Sequence, residues 1–283
     1  MHLWLIFFLP QWAQRFTINF TRILEIYFGN KIDFAGLQLY PLNLRTINIE
    51  MNLINKIAVV TGVSKGIGLA LCKQLVEKGA IVYGLGRNCP TEISHPNFHF
   101  MVCDVQNSDS VQTAFNEIYN AVEEIHILIN NAGLGYFGYL ENMPEEQWHE
   151  MFNTNIHGMF YCLKAALPQM KKSQYGHIIN IASTAALEGM AQVSAYCATK
   201  WAVKGLSESL YKELRDFRIK VTCVYPGSTK TDFFRNSPGI QPHDYMLMPE
   251  DVALMMVQAL EMPDNFHTVN LEIRPLQPRG PKQ

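Results

Sequence analysis

A chain of 283 residues with 48% hydrophobic and 17% charged residues is long enough to bury the core of one large domain and too apolar to be disordered. Its formal net charge of −2 and its lack of Lys/Arg-rich runs argue against nucleic acid and anionic membrane surfaces, so we expect a small-molecule partner. Six cysteines without CxxC spacing predict reduced thiols and a cytoplasmic protein, and nine scattered histidines without HExxH spacing predict no metal site.

Residues 1–50 differ in character from the rest of the chain. They open with a seven-residue apolar run, Leu3–Leu9, which is too short for a membrane-spanning helix of about 20 residues. The run also lacks the basic n-region and the small-residue cleavage site of a signal peptide. Because Met51 leads directly into the first strand, we expect the functional chain to start there, with residues 1–50 as upstream sequence or a poorly ordered extension. A packed or membrane-associating extension is the alternative.

From Lys56 onward, short β-type runs alternate with segments whose apolar residues recur three and four apart. The predicted strands are Ile57–Thr61, Ile81–Leu85, Phe98–Cys103, Ile125–Asn130, His177–Ala182, Ile219–Tyr225 and Thr268–Ile273. The predicted helices are Leu69–Glu77, Val111–Glu124, Trp148–Met170, Ala195–Asp216 and Pro249–Leu260. This alternation is typical of a parallel sheet covered by helices on both faces. We therefore predict that residues 51–283 form a single doubly wound, Rossmann-type α/β domain with a seven-stranded parallel sheet.

A glycine-rich loop follows the first predicted strand and reads Thr61-Gly62-Val63-Ser64-Lys65-Gly66-Ile67-Gly68. Its glycines let the backbone turn tightly and approach a pyrophosphate, and the helix N-terminus that follows offers free N–H groups and a favourable dipole. Alone, such a loop is weak evidence, because a glycine turn before a helix is often only structural. Its position between a strand and a helix favours dinucleotide binding.

The residue after the second predicted strand indicates which nicotinamide cofactor the loop takes. NAD-binding proteins usually place a carboxylate there, where it holds the ribose hydroxyls. This strand is followed by Arg87 and carries no carboxylate, and a guanidinium can pair with a 2′-phosphate. Lys65, in the glycine loop, is expected on the same side as a second cation. We expect NADP(H) as the preferred cofactor, with NAD(H) possible. The alternative is that both cations are solvated surface groups.

Tyr196 and Lys200 are the strongest candidates for catalysis. Residues four apart on a helix share a face, so the phenol and the ammonium point into the same space. A tyrosine of ordinary pKa, about 10, is a poor acid–base group at neutrality, and a neighbouring cation is expected to lower that pKa. Ser183 follows the fifth predicted strand, where doubly wound sheets bind ligands, and its hydroxyl can hold a carbonyl oxygen. Taken singly, such a pair is usually amphipathic surface, and such a serine usually caps a turn.

Together these motifs resemble those of the short-chain dehydrogenase/reductase family over essentially all of residues 51–283. Asn130-Asn131-Ala132-Gly133 is similar to the family's NNAG segment, Asn155 lies at its catalytic asparagine position, and residues 226–231 resemble the segment that holds the nicotinamide end. The predicted cofactor contacts are Gly62, Ser64, Lys65, Gly66, Ile67, Gly68, Arg87, Asp104, Val105, Asn131, Ala132, Gly133, Tyr196, Lys200, Pro226, Gly227, Thr229 and Thr231.

The resemblance implies an oxidoreductase that interconverts a carbonyl and a secondary alcohol. Tyr196 is the expected proton donor and Ser183 holds the substrate oxygen. Lys200 binds the nicotinamide ribose and lowers the Tyr196 pKa, and Asn155 holds a water that links Lys200 to solvent. The alternatives are a catalytically silent NADP(H)-binding regulator, an extended-type sugar epimerase, and a membrane-anchored form of the same reductase.

Substrate choice is expected to depend on residues 232–248, which the resemblance implies to be a lid, and on Leu187, Glu188 and Met190. An apolar, medium-sized ketone or alcohol fits this composition, which does not separate steroid, acyl-thioester, sugar and hydroxy-acid substrates, and ordinary packing residues would look the same. The resemblance also implies a homodimer or homotetramer, formed through the two long helices Trp148–Met170 and Ala195–Asp216. The polar tail Gln277–Gln283 is expected to fray.

Overall fold

The computed structural model of the chain describes residues 53–233 and 243–278. The predictions for residues 1–50, for residues 234–242 of the expected lid and for the end of the tail lie outside the described residues. Seven parallel strands form one sheet in the order β3-β2-β1-β4-β5-β6-β7. Their bounds are β1 Ile57–Thr61, β2 Ile81–Gly86, β3 Phe98–Val102, β4 Ile127–Asn130, β5 Gly176–Ile181, β6 Ile219–Pro226 and β7 Asn270–Ile273.

Helices cover both faces of this sheet. Their bounds are α1 Gly66–Glu77, α2 Ser108–Ala121, α3 Glu145–Phe152, α4 Gly158–Ser173, α5 Ser194–Leu214 and α6 Pro249–Leu260. Buried apolar residues of α1 and α6 form the core on one face, and those of α2, α4 and α5 form the core on the other. The central strands β1, β4 and β5 are buried along their whole length, as expected for strands that lie between two layers of helices. The predicted fold class is confirmed.

The largest difference from the prediction concerns the expected helix Trp148–Met170. It consists of α3 and α4, joined without a break in the helical path by the π-helical turn Asn153–His157. A π turn widens the backbone ring by one residue and leaves the apolar spacing almost intact, so periodicity alone predicts one helix. Pro168 lies inside α4, although proline removes a backbone donor there.

Smaller differences lie at the ends of the elements. Helix α1 begins at Gly66, three residues earlier than predicted, so the last residues of the glycine loop form its first turn. Strand β4 begins at Ile127, after the predicted Ile125, whose N–H donates to Gln169 Oε1 outside the sheet. At α2, Asn107 caps the helix by accepting from the N–H groups of Asp109 and Ser110.

The strand order changes direction between β1 and β4, because the chain runs outward to β2 and β3 and then returns to the other side of β1. In doubly wound sheets the loops that leave the carboxyl ends of the strands at this point diverge and open a crevice. The glycine loop follows β1 and the Asn131-Ala132-Gly133 segment follows β4, so both lie at this crevice.

Candidate active site

The crevice at the carboxyl ends of the strands is a cleft of about 610 Å³, within the range of small-molecule sites. Loops that follow β1, β2, β3, β4, β5 and β6 all contribute to its walls. Of the predicted site residues, the cleft is lined by Gly62, Ser64, Lys65, Gly66, Ile67, Arg87, Asp104, Val105, Asn131, Ala132, Gly133, Ser183, Tyr196, Lys200, Pro226, Gly227, Thr229 and Thr231. Two predicted site residues, Gly68 and Asn155, lie behind the walls.

The glycine loop is shaped by backbone that side chains would obstruct. Gly62 and Gly66 have positive φ angles of +73° and +63°, and a Cβ on Gly62 would lie 2.8 Å from Ala132 Cα. Gly68 does not face the cleft, because its Cα packs on the loop itself: a Cβ there would lie 2.3 Å from the carbonyl oxygen of Gly62. Lys65 at the N-cap of α1 makes no side-chain cap hydrogen bond, which leaves the first N–H groups of the helix available to an anion.

Asn131 ties the segment after β4 to the end of β1. Its Nδ2 donates to the carbonyl oxygens of Thr61 and Gly62 at 2.9 and 3.0 Å. The hydroxyl oxygen of Thr61 accepts in return from the backbone N–H groups of Asn131 and Ala132. These bonds hold the glycine loop and the segment after β4 together. The backbone that they fix fits a pyrophosphate.

The two expected phosphate-binding cations have different surroundings. Arg87 is exposed and lines the cleft just after β2, next to Asn88, whose carbonyl oxygen accepts from Ser64 Oγ at 2.7 Å. Lys65 instead pairs with Asp232, with 3.0 Å between Nζ and Oδ2, and both side chains are about half exposed. The prediction placed Lys65 beside a 2′-phosphate, and a carboxylate is its partner here.

Tyr196 and Lys200 lie one helical turn apart near the start of α5, and both are buried. Both line the cleft, with Lys200 Nζ 5.6 Å from the centroid of the Tyr196 ring. The Lys200 ammonium donates to the carbonyl oxygen of Ile181 at the end of β5, at 2.9 Å. A Cβ on Gly133 would lie 3.6 Å from Lys200 Nζ, so the absence of a side chain there leaves the ammonium accessible from the cleft.

The acid–base properties of this pair differ from the expectation that Lys200 lowers the Tyr196 pKa. Burial raises the pKa of the Tyr196 phenol above its ordinary value, and a hydrogen bond with Ser183 opposes the shift. Burial also lowers the pKa of Lys200 to about 8. The ammonium is itself desolvated and bonded to Ile181, so it does not compensate the burial of the phenol.

Ser183 caps a turn and also lines the cleft. Its Oγ accepts from the backbone N–H of Ala185 at 3.2 Å and so caps the 3₁₀ turn Thr184–Ala186. The same hydroxyl lines the cleft and is hydrogen-bonded to Tyr196. The serine therefore lies beside the phenol with its orientation fixed by the turn.

Asn155 lies in the π-helical turn and is fully buried, with its side chain bonded to protein atoms. Its Oδ1 accepts from Leu134 N–H, and its Nδ2 donates to the Leu134 carbonyl oxygen and to Thr199 Oγ1, at 2.9 to 3.0 Å. The expected role of Asn155 in holding a water stays a prediction, and the hydrogen bonds of its side chain are to protein atoms. They indicate a positioning role, because they join the loop after β4 to the residue that precedes Lys200.

An apolar cluster surrounds Tyr196. Cleft-lining members that the sequence did not single out include Leu134, Phe137 and Val193. Phe233, expected only as part of the lid, lines the cleft and belongs to the same cluster. Isolated aromatic residues in loops carry no spacing signal, so only the folded chain brings them together.

The residues expected to line the substrate side divide into two groups. Met190 lines the cleft, whereas Leu187 packs against the core. Glu188 is exposed, and its Oε1 lies 3.8 Å from Nη1 of Arg274. At the far end of the expected lid, Leu247 accepts from Lys230 N–H and donates its own N–H to the Ser228 carbonyl oxygen. The described end of this segment is therefore held against the loop after β6.

The six cysteines are free, and five of them are buried. Burial raises the pKa of the Cys103 thiol, which suits a packing role. Within residues 53–233 and 243–278, no three His, Cys, Asp or Glu side chains are grouped so that they could hold a metal ion. Over the same residues, no helix has the length and apolar character needed to cross a membrane.

Comparison with known proteins agrees with this geometry. The family model described as short chain dehydrogenase matches residues 56–239. A 3-ketodihydrosphingosine reductase of Bacteroides thetaiotaomicron is 40% identical over 181 residues, which cover 64% of this chain and 66% of that protein. An uncharacterized oxidoreductase of Staphylococcus aureus is 33% identical over 231 residues, which cover 79% of this chain and 99% of that protein.

Among solved structures, the alcohol dehydrogenase of Thermococcus sibiricus in complex with 5-hydroxy-NADP has a similar fold. Its TM-score is 0.72 at 27% identity, and the match covers 80% of this chain and 99% of that chain. The family model and the long alignments lead to one conclusion: the chain belongs to the short-chain dehydrogenase family and is an oxidoreductase.

Proposed function

We propose that the protein is an NADP(H)-dependent oxidoreductase that interconverts a carbonyl and a secondary alcohol, with Tyr196 as the general acid and base. One observation carries this proposal: the Tyr196 phenol, the Ser183 hydroxyl and the Lys200 ammonium converge in the same cleft as the glycine loop. The Bacteroides relative is named a reductase and the Thermococcus neighbour an alcohol dehydrogenase, which supports this reaction class.

Each of the three residues has a defined task. A bound nicotinamide cofactor supplies or accepts the hydride. Ser183 holds the substrate oxygen, and Tyr196 delivers a proton to that oxygen during reduction or removes one during oxidation. Lys200 binds the cofactor ribose with its remaining N–H groups. Because burial raises the pKa of Tyr196, the phenol holds its proton at neutral pH and can act as the acid in carbonyl reduction.

The preference for NADP(H) follows from the cations at the adenosine end. Arg87 follows β2 at the place where NAD-specific proteins present a carboxylate, and it lines the cleft. Lys65 lies in the adjacent glycine loop and can add a second charge to a 2′-phosphate if it leaves Asp232. NAD(H) is the weaker cofactor in this proposal, because the binding of the pyrophosphate by the glycine loop does not require a 2′-phosphate.

Replacing Arg87 by alanine is expected to raise the KM for NADPH roughly 10-fold to 100-fold, because a charge-assisted bond to phosphate contributes about 1.5–3 kcal/mol. The KM for NADH should change little. Arg218→Ala is the matched control, since Arg218 is an exposed arginine outside the cleft lining. Steady-state kinetics with both cofactors measures the effect. Equal NADPH constants for wild type and Arg87→Ala would rule out this assignment.

NADPH oxidation in the presence of a panel of carbonyl compounds tests the reaction itself, with NADP⁺ reduction by alcohols as the reverse assay. We expect turnover with at least one ketone and the corresponding secondary alcohol. A protein that binds NADPH but turns over no member of a broad panel would be a silent cofactor-binding regulator, and the proposed activity would be wrong.

We also propose a homodimer or homotetramer formed through α4 and α5. Phe160 on α4 and Trp201 on α5 are about half exposed, and large apolar side chains on a helix surface favour association. Analytical ultracentrifugation checks this proposal, since a sedimenting mass equal to one chain would contradict it.

A further inference from the structure

Two aromatic rings pack against Tyr196, the proposed proton donor. The centroids of Phe137 and Phe233 each lie 5.5 Å from the centroid of Tyr196, and they lie 6.3 Å from each other. These separations fall in the range of favourable aromatic contacts. We call Phe137 and Phe233 the aromatic clamp. Both rings line the cleft, so they form a wall on which a molecule held by Tyr196 would rest.

Gly135 makes this arrangement possible. A Cβ at that position would lie 2.9 Å from Phe233 Cζ and 3.1 Å from Tyr196 Cδ2, closer than real Cβ atoms come without displacing a neighbour. The loop that carries it is held at both sides: Tyr136 donates its hydroxyl to Glu150 at 2.6 Å, and Gly138 donates its N–H to Gln192 at 2.7 Å. The backbone therefore brings the clamp against the phenol.

The rest of this wall is also apolar. Leu134 and Val193 belong to the same apolar cluster and line the cleft, and Met190 lines the cleft as well. The charged residues among the described lining are Lys65, Arg87, Asp104, Lys200 and Asp232. Lys65 lies in the glycine loop and Asp232 pairs with it there, so both belong to the cofactor end, and Lys200 is bonded to Ile181 and assigned to the cofactor. Arg87 and Asp104 follow β2 and β3, which lie three and four strands away from β5, the strand before Ser183.

We propose that the substrate is an uncharged ketone with an apolar substituent, such as an alkyl chain, or the corresponding secondary alcohol, and that the aromatic clamp selects it. The carbonyl oxygen lies against Ser183 and Tyr196, and the alkyl chain rests on Phe137 and Phe233. An ionised or polyhydroxy substituent at the same place would lose its hydration without gaining a partner on this wall. This inference rests on the proposed function and adds the substrate class and its two selecting residues.

A series of methyl ketones with increasing alkyl length tests the clamp, with acetoacetate and dihydroxyacetone as charged and polyhydroxy comparisons. For wild type, kcat/KM is expected to rise roughly threefold to fourfold with each methylene until the wall is covered, because each buried methylene adds a similar transfer free energy. In Phe137→Ala and Phe233→Ala this dependence should become flatter, with kcat/KM for the longest ketone falling roughly 10-fold or more while the shortest is little affected. Phe137→Leu and Phe233→Leu keep an apolar side chain, so the dependence of kcat/KM on alkyl length should lie between those of wild type and the alanine variants. The leucine variants also test the proposal if an alanine variant folds poorly.

Phe266→Ala is the control variant, because Phe266 is an exposed phenylalanine outside the cleft lining, and its chain-length dependence should equal that of wild type. Binding of alkyl carboxamides to the NADPH complex, followed by NADPH fluorescence, gives a second measurement without turnover. Chain-length-dependent binding that is lost in Phe233→Ala, together with no reduction of any ketone, would support the clamp while refuting the proposed reaction. Better turnover of acetoacetate or dihydroxyacetone than of the long ketones, or chain-independent binding, would overturn the clamp itself.

Discussion

Replacing Tyr196 by phenylalanine is expected to reduce kcat for carbonyl reduction by about 10³-fold or more, because it removes the proposed proton donor. The substitution deletes a single oxygen and leaves the ring to pack against Phe137 and Phe233, so the fold should persist. The dissociation constant for NADPH should stay within about twofold of wild type. Single-turnover NADPH oxidation and NADPH fluorescence titration measure the two quantities.

The pH profile of the wild type is the companion measurement to this variant. Because the pKa of Lys200 is lowered to about 8, the side chain is an ammonium below that pH and a neutral amine above it. The value of kcat/KM for reduction should therefore fall as pH rises through about 8, since the charge that binds the ribose is lost. The Tyr196 phenol, with its raised pKa, stays protonated in the same interval. Undiminished turnover by Tyr196→Phe would contradict the proposed role of the phenol, and a profile that does not change near pH 8 would contradict that of Lys200.

The same substitution at two helical glycines is expected to have opposite effects on stability. Gly68→Ala places a Cβ 2.3 Å from the Gly62 carbonyl oxygen and 2.5 Å from Asn131 Nδ2, so it should lower the free energy of unfolding by about 2–3 kcal/mol through overpacking. Gly205→Ala, on α5, meets nothing within 4 Å and should raise it by about 0.5–1 kcal/mol, because alanine is the better helix former. Urea unfolding of the two variants gives both values.

Gly68→Ala should also weaken NADPH binding, although Gly68 does not line the cleft. The displaced carbonyl of Gly62 accepts from Asn131, and this bond holds the glycine loop to the segment after β4. A Gly68→Ala variant with wild-type stability and wild-type NADPH affinity would contradict this prediction. It would mean that the backbone around Gly62 can make room for the added methyl group.

The fold was predictable because the residue types within each strand identify it as a buried strand. Strand β1 is an unbroken run of apolar and β-branched residues and strand β5 is rich in isoleucine, and a parallel sheet covered on both faces is the arrangement that buries such runs. The π-helical turn Asn153–His157 was not predictable, since it arises from a shift in backbone hydrogen bonding that changes no residue type.

The candidate site was predictable where a residue's position in a motif fixes its location, as for Ser183 and Tyr196. It was not predictable where tertiary contacts decide. The Tyr196 pKa depends on how deeply the phenol is buried, and spacing along a helix does not contain that information. The approach of Phe233 depends on the missing Cβ of Gly135, nearly one hundred residues earlier in the chain.

The exposed pair of Lys65 and Asp232 neutralises the lysine charge at the edge of the cleft. An exposed ion pair of this kind is worth about 0–1 kcal/mol, so its ammonium can exchange a carboxylate for an incoming phosphate at little cost. Because Asp232 belongs to the loop after β6, the pair also links that loop to the glycine loop, through a contact weak enough to break when the ammonium finds another partner.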